Sequence, residues 1–243
     1  MDSKITIMIL YRGDTIQRLE NVVEIIRILS SFSNVVVYIR EATNYNNKII
    51  QSSVKSFTNY EFVIDRDPIL HKTKHFNEML RNITTEFVGI WDTDVIAYKE
   101  SFLECFEKLK KGEVTLALPY NGVCLDTSSI IRQVYLQKQK FDILVDNMQK
   151  MKRLQPYVLT GGAVLMHTET FRLLGGENEN YYGWGDDDYD RYIRFMNNGY
   201  AIYRSKNVLF HLTHPRSYNS NYNSRLHQQI SKAELLKTIY EKG

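Results

Sequence analysis

Four carboxylates stand close together in the segment YYGWGDDDYD, residues 181–190, directly after a turn rich in glycine and aromatic residues. They belong to Asp186, Asp187, Asp188 and Asp190. Apolar residues recur at helical spacing after them, which predicts the first turn of a helix, where the dipole stabilises each carboxylate by roughly 0.3–1 kcal/mol. One or two aspartates would need no further explanation, but three in succession exceed what helix capping requires. Such a cluster can receive a cation, or accept a proton from a hydroxyl group.

Aromatic residues border the cluster, and its spacing excludes one kind of calcium site. An EF-hand loop that began at Asp186 would need a glycine and a glutamate where this chain has Arg191 and Asn197. Aromatic rings stack on the apolar faces of sugars, and carboxylates bind sugar hydroxyl groups. The rings of Tyr182 and Trp184 beside the acidic cluster therefore favour a carbohydrate as the molecule that binds here.

A second pair of carboxylates occurs in WDTDVI, residues 91–96, at the end of an apolar run. Asp92 and Asp94 lie at or just past the carboxyl end of the predicted strand, and alternate residues of a strand share a face. Two carboxylates on one face suit a hard divalent cation that also holds phosphate groups. An aspartate-rich turn explains the same spacing without a ligand, so the spacing alone leaves both interpretations open.

Two histidines follow in FHLTHP, residues 210–215. His211 ends an apolar strand pattern, and His214 comes three residues later. Neutral imidazole is a common ligand of transition metals and suits Mg²⁺ less well. A lone strand histidine is more often a satisfied core residue, so metal ligation and a structural role both stay open at this point.

The first half of the chain alternates apolar runs typical of buried strands with amphipathic helical patterns. Strands are predicted at residues 5–10, 34–40, 61–65, 86–94 and 114–120, and helices at residues 15–32 and 72–83, the first capped by Thr15. Strands that alternate with helices indicate an α/β fold with a mostly parallel central sheet flanked by helices. Ligands bind such sheets at the carboxyl ends of the strands, which is where WDTDVI stands.

The second half of the chain is less regular. One long helix is predicted at residues 128–151, which contain no glycine or proline, and a strand entered through two glycines at residues 159–167. A short helix at 168–176, the acidic helix, one or two strands within 200–215 and a final helix at 230–243 complete the prediction. The domain organisation expected is one α/β domain over residues 1–217, with residues 218–243 as a polar segment and helix attached to it.

The composition is that of a globular protein and limits its partners. The 243 residues are 43% hydrophobic and carry a formal net charge of +3, which suits a sizeable core and argues against long disorder. Nucleic acid is not expected as a partner, because no basic run offsets the acidic cluster. Cys105 and Cys124 form no disulfide framework, which favours a reducing compartment. No signal peptide or membrane span is predicted, so the expected location is the cytoplasm, with peripheral contact to the inner face of the membrane as an option.

Three elements in this order resemble the glycosyltransferases of the GT-A fold. They are WDTDVI, then LTGGAVLMHTETFRLLGG followed by YYGWGDDDYDRYIR, then the strand that ends in VLFHLTHP. The resemblance is to the family of the animal β-1,4-galactosyltransferases and their bacterial relatives, and it covers roughly residues 4–215. The strand with two glycines, followed by Gly-Trp-Gly and an acidic cluster, is the specific part of the pattern.

The resemblance implies roles for individual residues of this chain. In that family the last aspartate of Asp-x-Asp binds Mn²⁺ and a later histidine completes the metal site, which assigns Asp94 and His211 as metal ligands. The catalytic base is the aspartate that ends Gly-Trp-Gly-Gly-Glu-Asp, which falls on Asp188. Here Asp186 and Asp187 replace the second glycine and the glutamate of that motif, a departure that affects the acceptor side. The residues implied in donor binding are Arg12, Asp65, Lys74, Asn77, Asp92, Gly161 and Gly162, and those implied in acceptor binding are Tyr182, Trp184 and Asp187.

The reaction that the resemblance implies is a metal-dependent, inverting transfer of a sugar from a UDP-sugar to a hydroxyl group of a carbohydrate acceptor. Galactose or N-acetylgalactosamine is the expected sugar, Mn²⁺ the expected ion with Mg²⁺ as the alternative, and bacterial surface polysaccharide the expected product. Two other functions stay open from the sequence. One is a nucleotidyltransferase acting on a sugar phosphate, although the chain has no glycine-rich phosphate loop after its first strand. The other is a carbohydrate-binding protein without catalysis.

Overall fold

The structure is a computed structural model, and it describes residues 3–46, 48–54, 58–216 and 218–240. Its strands form two sheets, one of seven strands and one of four. In chain order the strands are β1 (Ile5–Tyr11), β2 (Val35–Thr43), β3 (Thr58–Ile64), β4 (Phe87–Trp91), β5 (Val95–Ile96), β6 (Leu116–Leu118), β7 (Cys124–Asp126), β8 (Lys152–Arg153), β9 (Ala163–His167), β10 (Ile202–Arg204) and β11 (Leu209–His211).

The seven-stranded sheet has the strand order β10-β6-β9-β4-β1-β2-β3. Parallel pairing joins β3, β2, β1 and β4 on one side and β6 with β10 on the other, while β9 runs antiparallel to both β4 and β6. Strands β1 and β4 are buried along their whole length, as expected for central strands covered on both faces. The predicted mostly parallel α/β sheet is confirmed.

The smaller sheet has the order β5-β11-β7-β8 and was not predicted as a separate sheet. Its strands have only two or three residues each, too few to show a hydrophobic period. Strand β11 pairs antiparallel with β5 and parallel with β7. The region at 200–215 is thus two strands that belong to different sheets, because β10 pairs with β6 in the larger one.

Helices pack on the larger sheet, and the last element of the described residues is also a helix. They are α1 (Ile16–Ser30), α2 (Ile49–Val54), α3 (Lys72–Arg81), α4 (Lys99–Lys110), α5 (Ser129–Lys138), α6 (Asp142–Asp146), α7 (Thr168–Leu173), α8 (Asp187–Asn197) and α9 (Arg225–Tyr240). The Thr15 hydroxyl accepts a hydrogen bond from the Arg18 amide and caps α1 as predicted. The acidic cluster opens α8, which ends before Gly199 at φ +74°.

The prediction of one helix over 128–151 is wrong. Helix α5 ends where Gln139 adopts the left-handed conformation at φ 50°, and its amide closes the last turn on the Tyr135 carbonyl. The chain then turns so that the Phe141 ring packs edge-on against Tyr98 and Phe210, with ring centroids 4.8 and 5.7 Å away. Packing against the smaller sheet therefore outweighs the helical pattern of the segment.

The final helix starts five residues earlier than the predicted residue 230, at Arg225, and its predicted last three residues lie outside the described ones. It packs on α8, where the Thr238 hydroxyl donates to Asp190 and Leu235 is buried. The division of the chain at residue 217 stays a prediction. None of the helices in the described residues has the length and the hydrophobicity that crossing a bilayer requires.

Candidate active site

A cavity of about 830 Å³ opens at the carboxyl ends of the central strands. The turn after β1, the turn after β4, the two glycines before β9, the start of α8 and one face of α9 line it. The topology brings these segments together because parallel strands present their carboxyl ends at one edge of a sheet. The acidic cluster, WDTDVI and the two histidines therefore share one site.

Asp94 lines the cavity and is buried. Burial alone would raise the pKa of its carboxyl group, but the neighbouring imidazoles of His211 and His214 outweigh this effect and hold that pKa at about 2. Asp92 lines the same cavity and stays open to its water. Desolvation within the site, together with the neighbouring carboxylates of Asp94 and Asp188, raises the pKa of the Asp92 carboxyl group against the attraction of Lys72.

Asp94, His211 and His214 form the group that can hold a metal ion among the described residues, with possible ligand atoms within 4.8 Å of one another. Nε2 of His214 lies 3.0 Å from the Asp94 carboxylate, and Nε2 of His211 lies 3.8 Å from it. Both histidines are buried. One carboxylate with two imidazoles is a donor set that fits a transition metal better than Mg²⁺.

The smaller sheet is what assembles this group. The pairing register sets His211 opposite Val95, the residue after Asp94, and the Leu212 amide donates to the Asp94 carbonyl at 2.7 Å. The same register sets His211 opposite Asp126 on the other neighbouring strand, and Asp126 lies 2.7 Å from Nδ1 of His211. A carboxylate bound to one imidazole nitrogen fixes the ring so that the other nitrogen faces the metal position.

Asp188 lies at the wall of the cavity, in the first turn of α8. Arg191 donates to its Oδ1 at 2.7 Å, and the Lys72 ammonium lies 3.7 Å from its Oδ2. Burial alone would raise the pKa of Asp188, but Lys72 and Arg191 outweigh it and lower that pKa below its usual value. The Asp188 carboxylate is therefore ionised at neutral pH and can accept a proton.

Asp187 was predicted to bind the acceptor, and the structure places it elsewhere. Its side chain is 2% exposed, is not part of the cavity lining, and pairs with the Lys72 ammonium at 2.8 Å. The carboxylates around Lys72 raise the pKa of its ammonium group against the effect of burial. Helical geometry explains the difference, because successive residues of a helix point about 100° apart, so Asp187 and Asp188 cannot face the same space.

The predicted donor residues divide into two groups. Arg12 lines the cavity, where it donates to the Ala42 carbonyl at 2.9 Å and pairs with Asp65 at the end of β3. Asn77 instead binds the turn at Glu177, donating to its carbonyl and accepting from its amide. Lys74 is exposed and lies outside the cavity lining, and its role in donor binding stays a prediction.

Lys72 occupies the place in the site that was predicted for Lys74. It lies two positions earlier on α3, in the first turn, and its side chain lines the cavity. One feature of the sequence could have indicated the role of Lys72. A lysine at a helix N-terminus is disfavoured by the dipole, so its presence there indicates carboxylate partners from another part of the chain.

The two predicted glycines, Gly161 and Gly162, both line the cavity, and the Gly162 carbonyl accepts a hydrogen bond from the Asp92 amide at 2.8 Å. Gly162 adopts φ +82°, and Gly161 lies against the Asp188 carboxylate. Of the predicted aromatic residues, Trp184 lines the cavity and contacts the Tyr222 ring edge-on, with centroids 4.8 Å apart. Tyr182 lies outside the cavity lining, where its hydroxyl donates to Asp67 at 2.6 Å.

The carboxyl-terminal part of the chain was not predicted to contribute to the site. Tyr222, Gln228, Lys232 and Leu235 all line the cavity. No pattern in the sequence could indicate this, because the position of these residues depends on how α9 packs against α8.

One segment of the chain is similar to a known protein family, and residues of that segment line the cavity. Residues 143–217 match the family model described as the N-terminal domain of galactosyltransferase. The matched segment contains Gly161, Asp188, His211 and His214. No curated protein is significantly similar in sequence.

The solved structures that match include the mannosyltransferase PcManGT from Pyrobaculum calidifontis, in complex with GDP-Man and Mn²⁺. The two chains superpose with a TM-score of 0.55 over 88% of this chain, at 16% sequence identity. The fold of this chain is thus similar to the GT-A fold of glycosyltransferases, and one segment of it matches a galactosyltransferase family model. The chain spans 58% of the length of that mannosyltransferase.

Proposed function

We propose that this protein is a glycosyltransferase, which moves a sugar from a nucleotide sugar to a hydroxyl group of a carbohydrate acceptor with inversion at the anomeric carbon. The observation that carries the proposal is the placement of Asp188 in one cavity with the metal-binding group of Asp94, His211 and His214. A metal-dependent, inverting transfer from a nucleotide sugar uses a metal position for the diphosphate and a separate base for the acceptor. The match of residues 143–217 to a galactosyltransferase model supports the same conclusion.

The donor is proposed to be UDP-galactose or UDP-N-acetylgalactosamine, with Mn²⁺ as the ion. The galactosyltransferase-type segment supports this choice of sugar, and the two imidazoles at the metal position support Mn²⁺ over Mg²⁺. The neighbour in structure holds GDP-Man, and a likeness of fold alone does not determine the sugar. Synthesis of a bacterial surface polysaccharide in the cytoplasm, at the inner face of the membrane, is the proposed setting.

The mechanism follows from where the side chains lie. The acceptor hydroxyl binds beside Asp188, whose carboxylate takes the hydroxyl proton as the oxygen attacks the anomeric carbon. The bond from that carbon to the diphosphate oxygen breaks in the same displacement, which inverts the anomeric centre. Arg191 and Lys72 keep Asp188 ionised and oriented before the reaction. A bound metal would offset the charge that develops on the leaving diphosphate.

The test measures nucleoside diphosphate release with Mn²⁺ and a panel of nucleotide sugars, with and without simple sugar acceptors. The variants are Asp188→Asn and Asp94→Ala, and the control is Asp142→Asn, which changes an exposed carboxylate outside the cavity. We expect turnover of one UDP-sugar, loss of turnover with retained donor binding in Asp188→Asn, and loss of donor binding in Asp94→Ala.

Three results would contradict parts of the proposal. Full activity of Asp188→Asn would exclude Asp188 as the base. Unchanged donor binding by Asp94→Ala would exclude the metal position. Donor binding without turnover on any acceptor would favour a carbohydrate-binding protein without catalysis.

A further inference from the structure

Asp186 makes a set of contacts that the proposed reaction does not use. Its carboxylate accepts hydrogen bonds from the Tyr222 hydroxyl at 2.8 Å and the Ser231 hydroxyl at 2.8 Å, and it pairs with the Lys232 ammonium at 2.5 Å. Its backbone amide donates to the Ser231 hydroxyl at 3.0 Å. One residue at the start of α8 therefore binds three residues of the carboxyl-terminal segment.

Two of the three residues that Asp186 binds, Tyr222 and Lys232, line the cavity. Tyr222, Gln228, Lys232 and Leu235 come from the carboxyl-terminal segment and line it, and we call the first three of these residues the acceptor wall. The Tyr222 ring lies edge-on against Trp184, and Trp184 stands four positions before Asp188 in the chain. The wall thus contacts the segment that carries the proposed base, whereas Arg12 and Asp65 lie just after β1 and β3.

The rest of α9 is held independently of Asp186. Asn178 and Asn180 donate to the Glu234 carboxylate at 3.0 and 2.7 Å, and Thr238 donates to the buried Asp190 at 2.5 Å. Loss of the Asp186 contacts would therefore free the wall locally while the end of α9 stays in place. The Asp186 side chain is 15% exposed, so its polar contacts are largely protected from water.

We propose that the acceptor wall binds the acceptor sugar, with the Tyr222 ring and the Gln228 amide as contacts, and that Asp186 is the positioning residue that holds this wall. Aromatic rings and amides are the groups that take the apolar face and the hydroxyl groups of a sugar. The inference deepens the proposed function and rests on it for the acceptor. The positioning role of Asp186 rests on the contacts alone.

The first experiment compares hydrogen exchange in the wild type, Asp186→Asn and the control Asp142→Asn. Asparagine keeps the size of the side chain but removes its charge. We expect exchange to become about tenfold faster or more across residues 220–232 in Asp186→Asn, since hydrogen bonds to a charged group are lost. Exchange across residues 233–240 and the control should stay close to wild type.

The second experiment measures the effects on the acceptor and on the donor separately. Binding of UDP in the presence of Mn²⁺ is measured by calorimetry, and transfer to free N-acetylglucosamine and glucose is measured as nucleoside diphosphate release. We expect Asp186→Asn to raise the acceptor KM by about tenfold, while UDP affinity and the donor KM stay within about twofold of wild type. A purely structural defect would change all of these together.

Different results would overturn the positioning role of Asp186 and the assignment of the wall to the acceptor. Unchanged exchange at 220–232 in Asp186→Asn overturns the positioning role. Faster exchange with an unchanged acceptor KM overturns the assignment of the wall to the acceptor. If the wild type binds no nucleotide and transfers no sugar, the proposed function and the acceptor assignment both fall, and hydrogen exchange still decides what Asp186 does.

Discussion

Gly161 and Asp188 lie so close together that a β-carbon on residue 161 would be 2.0 Å from Oδ2 of Asp188. The Gly161 backbone has little room to retreat, because the buried Tyr120 hydroxyl donates to its carbonyl at 2.6 Å. Only glycine at this position lets the carboxylate stand at the cavity wall. The strand with two glycines and the acidic helix thus form one structural unit around the proposed base.

Gly161→Ala is expected to displace the Asp188 carboxylate and to lower kcat by about 100-fold, since a misplacement of about 1 Å of a catalytic group has that effect. The matched control is Gly199→Ala, where a β-carbon meets nothing within 4 Å and only the φ of +74° is strained. Steady-state kinetics and thermal unfolding check both variants. Equal activity of the two alanine variants would show that Asp188 does not need its observed position.

Lys72→Gln is expected to shift the acid limb of the kcat/KM profile to higher pH. The Lys72 ammonium holds the pKa of Asp188 below its usual value, so its removal raises that pKa, and more acid-side activity is lost as the pH falls. Lys74→Gln is the control, because Lys74 is exposed on the same helix and does not line the cavity. Circular dichroism at each pH confirms folding. A profile that moves equally in both variants would contradict the assignment of Lys72.

His211→Ala and His214→Ala should each weaken Mn²⁺ binding, measured by calorimetry or electron paramagnetic resonance on the protein without nucleotide. Asp126→Asn should weaken it by about 10–100-fold, the usual effect of removing the partner that orients a ligating histidine. His71→Ala is the control, since His71 does not belong to the group of Asp94, His211 and His214 that could hold a metal ion. If only one histidine variant loses affinity, the other imidazole has a structural role.

Arg191→Met is expected to lower the free energy of unfolding by about 3–5 kcal/mol, the effect of breaking a buried ion pair. Arg191 is 1% exposed and pairs with the buried Glu177 and with Asp188, so its loss leaves buried negative charge uncompensated. Lys110→Met removes an ion pair at the surface and should cost at most about 1 kcal/mol. Urea unfolding measures both. Similar losses in the two variants would contradict the difference in burial.

The sequence by itself determined the elements with a strong period and the chemistry at their ends. The apolar runs of β1 and β4 and the alternation with helices lead to a mostly parallel sheet, because buried strands and amphipathic helices have local signatures. The same local sequence patterns predict that Asp94 follows a strand and that Asp188 lies in the first turn of a helix. Motif spacing is preserved in the fold because each motif lies within one element and its adjoining turn.

Only the tertiary structure decided which side chains of those motifs face the cavity. Lys72 rather than Lys74, and Asp188 but not Asp187, line it because residues close together on a helix point in different directions. His214 joins His211 because strands of two or three residues pair in a register that no period in the sequence reveals. The wall around Tyr222 depends on contacts with Asp186 across 36 residues of chain, and such long-range packing leaves no local pattern for sequence analysis to detect.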